Sequence, residues 1–171
     1  MKSKIFLCLI FLFKIYNGFS YSDSTVTAEE FKYLIGCWKG TITYLDYSSN
    51  KPFTMPANMT VKDFTNKNSI VYSINYPTEP SANSIDTIFI SENGRFINNE
   101  PIKKKLKLTD SLEVITEIAG IDGNDNKAAL IRHTYRISKN TFSVQKEVQF
   151  VGQKSWILRN EYKYTLTKPC S

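Results

Sequence analysis

One histidine, one lysine and one asparagine stand among apolar residues in three successive segments late in the chain: His133, Lys146 and Asn160. Residues two apart in a β-strand share a face, and alternation places all three on the same face as apolar neighbours. A buried lysine costs several kcal/mol unless it is paired or reaches water. Lys146 therefore indicates an internal cavity that holds water or an anionic group.

Tyrosines share these inward faces in both halves of the chain. The set comprises Tyr44, Tyr72, Tyr135, Tyr162 and Tyr164. An apolar pocket with a few converging polar groups is typical of a small-molecule site. We hypothesise that Lys146, His133, Asn160 and these tyrosines bind the polar head of an amphipathic ligand. Its tail would lie along Ile42, Met59, Ile74 and Ile131.

The alternative is a barrel without a ligand site. Lys146 would then lie near a rim and extend its ammonium group to solvent, and the tyrosines would present their hydroxyls to water at an open end. The core would be filled, and the protein would act through its surface as an envelope-associated interaction or structural protein.

Catalytic and metal-binding sites require other residue patterns. The chain has no nucleophile spaced beside a base, no acid pair with a known spacing and no glycine-rich phosphate loop. Zinc is disfavoured because the cysteines are far apart in sequence. The sequence therefore predicts no enzyme activity, no metal and no cofactor.

Strands must position these residues, because alternation of apolar and polar residues recurs between turn-forming clusters from residue 37 onwards. Thr27 and Glu30 form a capping-box pattern, which predicts one short helix ending near Leu34, with Gly36 as its C-cap. The fold class is all-β, a single up-and-down antiparallel barrel of about 8–10 strands with a short N-terminal helix. Strands are predicted at about 37–47, 55–64, 69–76, 84–91, 94–98, 102–108, 112–119, 127–138, 142–151 and 154–167.

The phase of the alternation assigns an inside and an outside. With Trp38 inward, the interior positions of the other strands include Met55, Met59, Val61, Ile70, Ile74, Val114, Tyr135, Ile137, Phe142 and Tyr164. The last strand also contributes Trp156, Leu158 and Asn160, and Arg159 faces solvent. The same phase places Arg132 and Glu117 on the outer surface.

The first twenty residues have a short basic start, an apolar run from Ile5 to Phe13 and small residues at Gly18 and Ser20. This is the pattern of a signal peptide cleaved after Ser20, and the alternative is an uncleaved anchor. The predicted organisation is therefore a signal peptide (1–20), a flexible tail (21–26) and a barrel domain (27–171). Export to the periplasm or beyond the cell follows.

Two cysteines remain after such cleavage, Cys37 at the start of the first strand and Cys170 near the chain end. In an oxidising compartment a pair invites a disulfide. If the last strand lies antiparallel to the first, its end is beside Cys37. Two unpaired thiols are the alternative.

The net charge of +6 overstates how basic the domain is, because three lysines and no acids lie in the first twenty residues. The remaining charge gives no argument for nucleic-acid binding. Membrane contact is expected only through Lys103–Lys107, a lysine run that otherwise protects an edge strand from pairing. We expect a monomer.

The segment Gly36-Cys37-Trp38 matches the Gly-x-Trp signature at the entry to the first lipocalin strand. The wider stretch LIGCWKGTITYLDY is similar to small exported lipocalin-like proteins of bacteria. Two lipocalin marks differ: only Thr109-Asp110 remains of the Thr-Asp-x-Tyr pattern, and the late arginine is not matched, since Arg159 lies too early. The resemblance implies a calycin barrel that carries a small hydrophobic or amphipathic molecule. Some similar barrels bind haem through one histidine, which makes His133 a candidate haem ligand.

Overall fold

The computed structural model describes residues 25–46, 49 and 51–168. They form a nearly closed antiparallel β-barrel, which confirms the predicted fold class. The strands are β1 Gly36–Asp46, β2 Lys51–Pro56, β3 Asn58–Val61, β4 Phe64–Asn66, β5 Ser69–Asn75, β6 Ser84–Phe89, β7 Phe96–Ile97, β8 Glu100–Lys107, β9 Ser111–Asp122, β10 Lys127–Ser138, β11 Thr141–Phe150 and β12 Ile157–Lys168.

Neighbours in sequence are mostly neighbours in the barrel. From β7 to β12 each strand pairs with the next, and β12 returns to pair with β1. Strands β2 and β3 both pair with β1 on either side of Ala57, whose backbone N–H donates to the carbonyl of Gly40 at 2.9 Å. An isolated bridge between Ile90 and Ile97 joins the two sides where closure is incomplete.

The N-terminal helix, Ala28–Leu34, covers the barrel end at which β1 begins, and we call this the helix end. It is a 3₁₀ helix, and the predicted capping box forms, with the Thr27 N–H donating to Glu30 Oε2 at 3.1 Å. Trp38 Nε1 donates to the Leu34 carbonyl at 2.8 Å. The buried tryptophan therefore fastens the helix to the first strand.

Contrary to the prediction, Gly36 is not the C-cap of the helix. The C-cap is Ile35, and Gly36 is the first residue of β1, with φ at +144°. A Cβ there would lie 2.7 Å from Cδ1 of Leu166. Glycine is needed at this position for its backbone angle and for the close approach of β12.

Glu30 fastens the helix to β8. Its carboxylate receives Lys105 Nζ and Lys107 Nζ, both at 2.9 Å. Val26 is 1% exposed and donates its N–H to the carbonyl of Gly94 at 2.8 Å. Position 26 of the predicted flexible tail is thus packed into the fold.

The alternation correctly separates core from surface through most of the barrel. Inward positions that are buried as predicted include Trp38, Met55, Met59, Val61, Ile70, Ile74, Val114, Tyr135, Ile137, Phe142 and Tyr164.

A β-bulge in β12 overturns the predicted phase at the start of that strand. Lys146 pairs with Asn160, but Glu147 pairs with Leu158, so Arg159 is an extra residue. A bulge changes which face the side chains before it occupy. Arg159 is consequently buried, at 9% exposure, and Leu158 is exposed, the reverse of the prediction.

The bulge also reverses the face that was predicted for Trp156. The guanidinium of Arg132 lies 3.8 Å from the centre of its ring. Arg132 pairs with the outer-face carboxylate of Glu117 at 2.6 Å. Trp156 therefore packs with an outward-facing arginine and not in the core.

Candidate functional site

A cavity of about 270 Å³ lies inside the barrel between β3, β5, β6, β8 and β10–β12. Six of the eight residues predicted to bind a ligand line it. These are Tyr72, His133, Tyr135, Asn160, Tyr162 and Tyr164. The lining is completed by Met59, Ile74, Ile88, Asn98, Glu100, Phe142 and Val144.

Glu100 is the acidic residue of this cavity, and it is not among the residues predicted from the sequence. Its Oε2 accepts hydrogen bonds from Nδ1 of His133 at 2.8 Å and from the hydroxyl of Thr116. The prediction began the strand at residue 102, and an extension by two residues would have placed Glu100 on the face of Ile102. The carboxylate fixes the imidazole and leaves Nε2 as the nitrogen without a hydrogen-bond partner among the described residues.

Opposing effects act on the pKa of Glu100. Burial alone would raise it, but hydrogen bonds from His133 and Thr116 and the positive charge of nearby Lys146 outweigh burial and hold the pKa below its usual value. The cavity therefore contains an ionised carboxylate at neutral pH.

The cavity tyrosines are neutral. Burial, with the nearby negative charge of Asp86, raises the pKa of Tyr72 to about 12, and burial also raises the pKa of Tyr135, Tyr162 and Tyr164. At neutral pH these phenols keep their protons. Each can donate a hydrogen bond to a ligand as well as accept one.

The hydroxyls of Tyr162 and Tyr164 differ in their hydrogen bonding. Tyr162 shares a hydrogen bond of 2.9 Å with Tyr76. The hydroxyl of Tyr164, which is 4% exposed overall, has no hydrogen-bond partner in the part of the chain that the structure describes. A buried hydroxyl without a partner is costly.

Aromatic rings form one wall of the cavity. Tyr164 stacks between Tyr162 and Phe142, with 5.9 Å between ring centres and 11° between planes on each side. Phe142 in turn meets the edge of Trp38 at 6.4 Å. Because this wall continues into the buried core, its rings hold fixed positions.

Contrary to the prediction, Lys146 does not line the cavity. Its Nζ lies 2.9 Å from Oδ2 of Asp122 at the opposite barrel end, which we call the far end. Arg159 Nε lies 3.4 Å from Oδ1 of the same carboxylate. Lys146 is therefore satisfied by a buried ion-pair cluster, which explains its inward position without an anionic ligand.

Asp122 could have been found by continuing the period-two alternation of β9 beyond Ile118. Burial alone would raise the pKa of Asp122. Hydrogen bonds from Lys146 and the Gly123 N–H, with the charge of Arg159, outweigh burial and lower it. Asp122 and Arg159, the other two members of this cluster, were thus missed, Asp122 through strand length and Arg159 through the bulge.

Tyr44 is likewise outside the cavity lining. It packs on Phe53 of the neighbouring strand, with 5.5 Å between ring centres. Of the predicted tail-binding residues, Met59 and Ile74 line the cavity, whereas Ile42 and Ile131 do not.

The lysine run, the helices and the metal-binding side chains concern the predictions about membrane contact and metal binding. Among the lysines of the 103–107 run, Lys104, Lys105 and Lys107 pair with Glu113 or Glu30. Within the described ranges, neither helix has the length and apolar character needed to cross a membrane, and no cluster of three metal-binding side chains occurs.

Haem does not fit the cavity as it stands. Pockets for drug-sized ligands occupy about 300–1,000 Å³, and a tetrapyrrole is larger than most such ligands. The 270 Å³ cavity lies below this range. His133 is oriented by a carboxylate as metal-bound histidines are, but the space around it suits a smaller molecule.

Comparison with known proteins identifies the fold. No family model and no curated protein matches the chain. The chain is similar to the crystal structure of Rv2717c from M. tuberculosis, with a TM-score of 0.54, 11% identity, and coverage of 82% of this chain and 96% of that one. At this identity the likeness concerns the fold alone, and the chain is a nearly closed antiparallel β-barrel of the same kind.

Proposed function

We propose that this protein is an exported, lipocalin-like binding protein that holds a small, mainly apolar molecule inside its barrel. The observation that carries the proposal is the interior cavity, in which aliphatic and aromatic side chains surround a few polar groups. Such a lining is typical of small-molecule sites. A barrel with a completely filled core, the competing interpretation, would have no such space.

The polar groups give a ligand fixed points of attachment. His133 contributes Nε2, which has no hydrogen-bond partner among the described residues. Asn98 and Asn160 add amides. The volume favours a molecule with one or two rings over a long-chain lipid.

The export part of the proposal depends on residues 1–20, which lie outside the described residues. Support comes from the signal-peptide pattern and from the pairing of Cys37 with Lys168 across β1 and β12. Cys170 follows Lys168 by two positions in the sequence and lies outside the described residues. Cell fractionation with an antibody would test export, and mature protein retained in the cytoplasm would contradict it.

Calorimetric titration of the mature protein with 2-phenylethanol, a neutral one-ring molecule, tests binding. Val144→Phe fills the cavity and is expected to abolish the binding heat. Val71→Phe on β5, a position outside the cavity lining, is the matched control and should bind as the wild type does. Equal binding by both variants would contradict an interior site.

A further inference from the structure

The cavity is lined by a carboxylate, whereas the sequence predicted a positive charge there, from Lys146. Among the described residues that line it, Glu100 is the acid, and no lysine or arginine is present. Lys146 lies nearby but is paired with Asp122 at 2.9 Å. A ligand carboxylate would therefore meet a carboxylate in the cavity, in surroundings that weaken water's screening.

Glu100 keeps one oxygen available. Both of its hydrogen bonds, from His133 and Thr116, go to Oε2. Oε1 has no hydrogen-bond partner among the described residues, and the side chain retains 15% exposure. An ionised carboxylate oxygen in a semi-enclosed site is a strong acceptor for a charged N–H donor.

Aromatic side chains line the same space. The cavity is lined by Tyr72, Tyr135, Phe142, Tyr162 and Tyr164. Phe142, Tyr164 and Tyr162 stack on one another, so they offer apolar contact area to the body of a ligand. Since the phenols keep their protons, the rings add no formal negative charge.

From the Glu100 carboxylate and the surrounding rings, we propose that the cavity binds a small organic amine in its protonated form. The ammonium group donates to Oε1 of Glu100, and the apolar body of the amine packs against the aromatic wall and Ile74, Ile88 and Val144. This assignment rests on the proposed function, because it names the ligand class of the same cavity.

Three probes of similar shape test the head-group charge. Calorimetric titration at neutral pH compares 2-phenylethylamine, 2-phenylethanol and 3-phenylpropanoate. The amine is expected to bind about tenfold or more tightly than the alcohol, because a hydrogen bond to a charged partner is stronger than a neutral one. The carboxylate is expected to bind weakest. Equal affinity for amine and alcohol would overturn the inference.

Glu100→Gln tests the named group. This substitution keeps the side-chain size and is expected to weaken amine binding by about tenfold or more while leaving alcohol binding within about twofold. Glu117→Gln is the matched control, since it removes the same charge from the outer face of β9. Unchanged amine affinity in Glu100→Gln would refute the role of Glu100.

The outcomes separate this inference from the proposed function. If the alcohol binds but the amine has no advantage, the cavity is a ligand site and the amine assignment is wrong. If none of the three probes binds, the small-molecule function fails together with the inference. The comparison of probes on the wild-type protein needs no variant, so misfolding of Glu100→Gln leaves the test intact.

Discussion

The carboxylate of Asp122 lies 3.4 Å from Nε of Arg159 and 2.9 Å from Nζ of Lys146, inside the far end of the barrel. The Asp122 and Arg159 side chains are 4% and 8% exposed. One anion thus pairs with two inward-facing cations, of which Arg159 is buried and Lys146 is 29% exposed.

Removal of that anion is expected to destabilise the barrel. Asp122→Asn should lower the free energy of unfolding by about 3 kcal/mol, because it removes the carboxylate with which the buried Arg159 pairs. Chemical denaturation followed by circular dichroism measures the change. Asp125→Asn is the control, since Asp125 pairs with Lys127 at an exposed site and its loss should not change stability measurably.

Acid should destabilise the protein for a related reason. Glu30, Glu100 and Asp122 have pKa values below their ordinary range in the folded state, since hydrogen bonds from neighbouring groups and nearby lysine or arginine charges outweigh the raising effect of burial. The unfolded chain therefore takes up protons first as the pH falls. This stabilisation is complete above about pH 5 and is lost progressively at lower pH.

Thermal unfolding between about pH 3 and pH 7 checks this prediction. The melting temperature of the wild type should fall steeply at the acid end. Asp122→Asn should show a shallower fall, because one of the three linked groups is gone. Parallel curves for the two proteins would show that Asp122 does not contribute to acid sensitivity.

At Gly40, β12 lies too close to β1 to leave room for a side chain. A Cβ at this position would overlap the carbonyl oxygen of Lys163 and the ring of Tyr164. Gly40→Ala should therefore lower the free energy of unfolding by about 1–3 kcal/mol, as overpacking does. Gly120→Ala is the control, since its nearest obstacle is the mobile end of Ile131 at 3.0 Å, and a larger loss there would contradict the explanation.

The disulfide between Cys37 and Cys170 remains a prediction. Thr167, three residues before Cys170, donates its hydroxyl to the carbonyl of Cys37 at 2.7 Å, which holds the end of β12 beside the start of β1. A thiol assay on unreduced, denatured mature protein should find no free thiol. Two reactive thiols per chain would contradict the bond.

Alternation was sufficient to predict the barrel, because long strands with one buried face repeat a period of two that the sequence shows directly. Trp38, Val114 and Phe142 are buried on the faces predicted for them. The same rule placed His133 and most of the tyrosines inside. Where strands are regular, the sequence therefore locates the cavity wall.

The errors arise where regularity ends. The bulge at Arg159 reverses the faces of Leu158 and Trp156, and a single sequence carries no signal for one extra residue in a strand. Glu100 was missed because strand ends are hard to place. Lys146 was assigned to a ligand because its true partner, Asp122, is 24 positions earlier in the chain, and the pairing depends on the fold.

The central claim is that the binding site is the interior of the barrel. An open groove of about 600 Å³ beside Leu106 and Leu108 is the competing place for an apolar probe. Nuclear Overhauser contacts between 2-phenylethanol and assigned methyl groups distinguish the two most directly. Contacts to the methyls of Ile74, Ile88 and Val144 are predicted, whereas contacts confined to Leu106 and Leu108 would contradict an interior site.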